Sequence, residues 1–198
     1  MSPTVRESRV RWAIPLAALA LTASAPALAG AAKAPHKGKG HHPARHGFAL
    51  KGLSRTLVPQ VGVGDIKLPS TLVPAQILKR FGRPGPTAAH LKTIVKVKGT
   101  IVSIAYYPRT TVRGITFNFH GPPVPDNQLN QISVTSPAYR TPQGLHVGST
   151  PAQVRKALPQ VRCDKFNCSL SGNTADGSVI LTTFALFRGR VIQIIITG

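Results

Sequence analysis

Acidic residues are scarce in this 198-residue chain: it carries five, Glu7 and four Asp, against 25 Lys and Arg, for a formal net charge of +20. Beyond residue 29 the only carboxylates are Asp65, Asp126, Asp164 and Asp176, three of them in apparent turns, which leaves little machinery for acid–base chemistry. No Ser or Cys nucleophile motif stands in for them, so the sequence predicts no enzyme, no catalytic residue and no cofactor. Aromatics are also few, with three Tyr, seven Phe and a single Trp at position 12. Stacked nucleic-acid bases are therefore poorly provided for, and nucleic acid is disfavoured as a partner. Cysteine is limited to Cys163 and Cys168. A zinc site would need two more ligands, and a redox pair more commonly has two intervening residues than the four seen here. In an exported chain the pair reads as a disulfide closing a six-residue loop. Val61-Gly-Val-Gly64 lacks the third glycine of a nucleotide fingerprint, with Pro69 and Ser70 following instead, and reads as a tight turn entering a strand.

The one long apolar run, Ala13–Leu21, follows Arg6, Arg9 and Arg11 and precedes the small-residue pattern Ala27-Leu-Ala29. This predicts a signal peptide over residues 1–29, cleaved near Ala29, and a secreted or cell-wall-associated protein. Leu28-Ala29-Gly30-Ala31 resembles a bacterial lipobox with Ala in place of the lipidated Cys, so no lipid anchor is expected. Three of the basic and one of the acidic residues precede residue 30, leaving 22 against 4 and a net +18 for residues 30–198. Such a charge attracts polyanions, among which an anionic wall polymer or lipid surface suits an exported protein. Residues 30–56 are expected to form a disordered basic arm, with Lys33, Lys37, Lys39 and Arg45 as candidate polyanion-binding groups. Its His36, His41, His42 and His46 have no carboxylate or Cys among them, and no metal site is predicted there.

The globular part is organised around Gly144–Pro159. Thr150 suits an N-cap, Pro151 the first helical position and Gln153 the third position of a capping box, and Val154, Ala157 and Leu158 then make one apolar stripe. A looser copy lies at Asp65–Gly82, where Pro74-Ala-Gln76 is followed by Ile77, Leu78 and Phe81. The spacing predicts helices over 74–81 and 151–158, with Thr71 matching Thr150 and Gln76 matching Gln153. Strands are expected at Val102–Tyr107, Ile115–Phe119 and Gln131–Thr135, with Ile115, Phe117 and Phe119 facing Ile132 and Val134, and Thr116, Asn118, Ser133 and Thr135 on a wet face. The expected fold is α+β: two tandem modules, 57–137 and 138–198, each a short capped helix packed on a three-stranded antiparallel meander.

In the last hairpin a two-residue turn at Arg188-Gly189 would set Ala185 opposite Ile192, Thr183 opposite Ile194 and Leu181 opposite Ile196. The alternate face then holds Phe184, Leu186, Val191 and Ile195, where the first copy has Asn, Ser and Thr. That apolar face is either covered by the other module or by the Leu57–Val63 segment, or is a candidate partner-binding surface.

The Gly-x-x-Val-Gly-Ser-Thr-Pro-Ala-Gln-Val-x-x-x-Leu run, followed by strands and given twice, resembles the helix-then-sheet module of the SmpA/OmlA outer-membrane assembly lipoproteins. It is also similar to the tandem modules of the secreted β-lactamase-inhibitor proteins. The resemblance covers about residues 60–198 and implies a non-catalytic protein that binds another extracellular or envelope protein. No inhibitory contact residue of the inhibitor proteins can be matched here. The runner-up is an envelope protein that binds polyanions through its basic arm.

Overall fold

Thr150 starts its helix as its chemistry dictates. Its Oγ1 accepts the Gln153 N–H at 3.2 Å while Gln153 Oε1 accepts the Thr150 N–H at 2.8 Å, so two otherwise orphaned donors are satisfied reciprocally. The computed structural model in which this is seen describes residues 47–87, 91–119 and 127–198. The expected signal, its cleavage point near Ala29 and the arm residues Lys33, Lys37, Lys39 and Arg45 lie outside the described residues, as do His90, His120 and Asp126.

In chain order the elements are β1 (Leu57–Val58), β2 (Gly62–Val63), β3 (Ile66–Lys67), α1 (Pro74–Phe81), β4 (Ile94–Val97), β5 (Thr100–Tyr106), β6 (Ile115–Phe119), β7 (Leu129–Val134), α2 (Pro151–Ala157), β8 (Arg162–Cys163), β9 (Asn167–Asn173), β10 (Val179–Phe187) and β11 (Arg190–Thr197). Helix α1 has half of the α2 cap. Gln76 Oε1 accepts the Val73 N–H at 2.9 Å, but valine offers no acceptor in return, and Val73 rather than Thr71 is the N-cap. The two capping glutamines do occupy the same helical position.

The architecture corrects the expectation of two α+β modules. The described part is mostly β: eight strands form one antiparallel sheet in the order β4-β5-β6-β7-β11-β10-β9-β8, and β1-β2-β3 form a second, three-stranded sheet. The two short helices cover that framework and do not each close a separate unit. The join is made by β7 and β11, where Ile132 pairs with Ile196 and Val134 with Ile194. A meander ending at β7 would leave its N–H and C=O groups bare, and pairing that edge with another satisfies both. Three strands per copy are also too few, because β4 is mostly exposed and β9, Asn-Cys-Ser-Leu-Ser-Gly-Asn, is too polar to stand out in sequence.

One face of the eight-stranded sheet is the core. Ile104, Phe117, Ile132, Ile194, Phe184 and Cys168 come from successive strands and share a cluster with Leu57, Val63 and Ile66 of the small sheet, Ile77 of α1 and Val154 of α2. Phe81 stacks on Phe117 at 5.9 Å and meets Tyr106 edge-on at 6.1 Å, seating α1 on that face. Burial pushes the Tyr106 phenol up to about 12, and its hydroxyl donates to the Gly82 carbonyl at 2.8 Å.

The boundaries expected at residues 56 and 137 move for the same reason, namely that side chains on both sides enter one core. Leu50 and Leu53, within the stretch read as an arm, are buried, and the Leu50 N–H donates to the Tyr139 hydroxyl at 2.9 Å. Tyr139 is fully buried, and the Arg140 backbone bonds to Arg55 and Leu57.

The disulfide is present: Cys163 and Cys168 face each other across β8 and β9 and are bonded. It closes a short loop, and chain-entropy reasoning assigns it roughly 2 kcal/mol. Reduction is expected to lower the unfolding free energy from urea titration by no more than that amount while leaving a cooperative transition. A thiol assay on unfolded, unreduced protein should find no reactive group.

Candidate functional site

The strands that bury apolar residues on one face present the intervening residues on the other. Two rows can be followed across the sheet by register. The first runs Ala105–Thr116–Ser133–Ile195–Thr183–Ser169 and ends on Arg162 at the edge strand β8. The second runs Ser103–Asn118–Gln131–Thr197–Leu181–Ser171. None of these side chains belongs to the core cluster, and all are half-buried or exposed except the small Ala105 and Ser133. Short of Arg162, neither row carries a charge.

Side-chain hydrogen bonds hold this face in one arrangement. Asn118 Nδ2 donates to Gln131 Oε1 at 2.6 Å, and Gln131 Nε2 donates to Thr197 Oγ1 at 3.2 Å. Gln193 Nε2 donates to Ser133 Oγ, and the Tyr107 and Thr116 hydroxyls lie 3.2 Å apart. The network spans β6, β7 and β11, so amide rotamers that would otherwise be free are already fixed.

Charge lies elsewhere. Among the described residues there are eighteen Lys and Arg and three Asp, and the one ion pair is Arg80 with Asp65 at 2.7 Å. The hydrogen bond from Arg80 holds the Asp65 carboxyl below the usual carboxylate range. Backbone N–H groups of Phe166 and Asn167 do the same for Asp164, and the Thr174 hydroxyl for Asp176. Each of these carboxylates is ionised, Asp164 and Asp176 bonded within their own turns and Asp65 bonded to Arg80 of α1.

The face proposed from sequence for a partner is divided by the structure. Phe184 and Val191 are fully buried and Leu186 nearly so, while Ile195 sits half-buried on the opposite, open face. The turn at Arg188-Gly189 is present, with both residues at positive φ (48° and 68°) as a two-residue hairpin of this hand requires. A bulge beside it places both Ile192 and Gln193 after the Leu186–Val191 pair, so Phe184 pairs with Ile194 and the inside and outside of β10 are exchanged relative to expectation. The buried face is covered in part by the segment after β1, whose Gln60 N–H donates to Thr182 Oγ1 at 2.7 Å.

A cavity of about 450 Å³ beside α2 is lined by Arg140, His146, Gln153 and Lys156 among others. His146 Nδ1 lies 3.0 Å from Ser149 Oγ, but that hydroxyl also accepts the His146 backbone N–H at 3.0 Å and is buried. The pair therefore ties the turn that precedes the helix, and no described carboxylate bonds to His146. Among the described residues no three His, Cys, Asp or Glu side chains form a metal-binding group, and no helix is long and apolar enough to cross a membrane.

Comparison with protein-family models, curated proteins and solved structures finds no match, so the open face stands on its own geometry.

Proposed function

We propose that this is a secreted, non-catalytic interaction protein that binds an extracellular or envelope protein through the open face of its eight-stranded sheet. The observation that carries the reading is the pair of uncharged rows across that face, held by side-chain hydrogen bonds on a rigid sheet. Hydroxyls and amides cost less to desolvate than ions, and side chains already held in place lose less entropy on binding. Ile195 and Leu181 supply apolar area among them. Seventeen of the eighteen described cations have no acidic partner among the described residues, so the protein chosen should be acidic, with the cations accelerating encounter. The sequence resemblance to secreted inhibitor and assembly proteins points to the same class.

The unpaired cations also favour a second reading, a cell-envelope protein that binds an anionic polymer, with Lys33, Lys37, Lys39 and Arg45 adding to the charge of the folded part.

Ile195→Arg and Thr183→Arg separate the two. Each places a bulky charge on the open face without entering the core. Cross-linking in the producing culture would identify the protein held by the mature chain, and titration calorimetry would measure its affinity. Affinity is expected to fall by about 100-fold in either variant, ~2.7 kcal/mol, with unfolding midpoints unchanged. Full affinity in both variants would overturn the reading. Binding that disappears only when the four arm cations are changed to Gln would establish the second one.

A further inference from the structure

Three connections leave the eight-stranded sheet at the same end. Tyr106 pairs with Ile115, Ile115 with Val134 and Val134 with Ile194, which puts the 107–114 connection at the end where β11 begins. Phe187 pairs with Arg190 around the 188–189 turn, and Asn167 with Ala185, which puts that turn and the 164–166 turn at this end too.

Four large apolar side chains stand exposed there: Phe166 at 60%, Phe187 at 58%, Val112 at 49% and Ile192 at 47%. The same end carries Arg109, Arg113, Lys165, Arg188 and Arg190. Each exposed ring has a cation over it from the adjacent residue, Lys165 Nζ 4.6 Å from the Phe166 centroid and the Arg188 guanidinium 5.2 Å from that of Phe187. The one acid at this end among the described residues, Asp164, spends its Oδ1 on the N–H groups of Phe166 and Asn167 at 2.6 and 2.7 Å. These tips are held in place: the Cys163–Cys168 bond clamps the base of one, the Phe166 carbonyl accepts the Leu186 N–H at 2.6 Å, and the other is a two-residue hairpin.

We infer that this end of the sheet docks on an anionic lipid bilayer, with Phe166 and Phe187 entering the interfacial layer and the surrounding cations pairing with lipid phosphates. Scattered single apolar residues on a surface need no explanation. Here the exposed rings cluster at one end, on rigid tips, each beside a cation, and the five cations there outnumber the one described carboxylate, Asp164. A dissolved polyanion would satisfy the cations but offer no apolar phase to the rings. A bilayer interface supplies both, and binding there scales with inserted apolar area together with the attraction of basic residues to anionic headgroups. None of its residues belongs to the two open-face rows or to the four arm cations.

The test uses the full mature chain, residues 30–198, and vesicles of phosphatidylglycerol mixed with phosphatidylcholine, compared with pure phosphatidylcholine. Co-sedimentation should show binding to the anionic vesicles. Phe166→Ala with Phe187→Ala should weaken it by about 100-fold, a loss of roughly tenfold per ring, and leave the unfolding midpoint unchanged. The same dependence should persist when Lys33, Lys37, Lys39 and Arg45 are changed to Gln. Because the only Trp of the chain is Trp12, before the mature start, Phe166→Trp gives a single reporter. Its emission should shift to the blue with anionic vesicles and be quenched by brominated acyl chains. Undiminished vesicle binding by the double Phe variant would overturn the inference, as would an indole emission in the Phe166→Trp variant that vesicles leave unmoved, or an equal dependence on the rings for a soluble polyanion.

Discussion

Phe184→Asp is expected to leave no folded protein at 25 °C. The ring is fully buried between Ile194 of β11 and Cys168 of β9, inside the single core cluster. Truncating a buried Phe costs about 3–5 kcal/mol through lost transfer energy and the cavity left behind. An unpaired carboxylate in that cavity adds several kcal/mol, or takes up a proton at a comparable penalty. Against a typical total stability of about 5–15 kcal/mol, the two together leave little or none. Thr183→Asp, one residue earlier on the open face, should shift stability by less than about 1 kcal/mol. Circular dichroism with urea titration of both variants decides it. A Phe184→Asp protein as stable as Thr183→Asp would mean that the faces of β10 are the reverse of those described.

Gly114→Ala, just ahead of β6, should be strongly damaging for the addition of one methyl group. A Cβ there would collide with the Tyr106 carbonyl oxygen and the Tyr107 ring. The backbone cannot step aside, because the Gly114 N–H donates to Thr135 Oγ1 at 2.9 Å and its carbonyl accepts the N–H groups of Thr135 and Ser136 at 2.9 and 3.2 Å. Forced overpacking of this kind costs about 1–3 kcal/mol and sometimes more. Gly85→Ala, where an added Cβ meets nothing, is the control and should be nearly neutral. Thermal unfolding of the pair tests this, and equal midpoints would refute the close approach.

What could be read in the sequence was local. The cap at Thr150, the helix at 74–81, the pairing of Phe117 with Ile132 and the turn at Arg188-Gly189 each follow from residues that touch within a short span. The polar side of β6 and β7, with Thr116, Asn118 and Ser133, was legible by alternation alone, although Ser133 is buried and not wet. Its continuation to Ile195, Thr183 and Ser169 was not, since it depends on β7 meeting β11 about 60 residues later. The burial of Phe184 was lost for a different reason. Val179–Phe187 is apolar or Thr at every position, so its pattern fixes no inner face, and one extra residue at the bulge is enough to exchange the two. The two-residue strands β1, β2, β3 and β8 are too short to carry any period.

The place of β11 has a further consequence for how the chain reaches this state. It follows all the other described strands in sequence, yet it lies between β7 and β10 in the middle of the sheet. Until Arg190–Thr197 arrives, the four strands before it on one side and the three on the other each expose a bare edge, six residues long at β7 and nine at β10, with Ile132, Val134 and Phe184 beside them. Such edges are templates for pairing with another chain, and closing them requires contacts between distant parts of the sequence, which form slowly. The interval before that last strand docks is therefore when self-association competes hardest with folding.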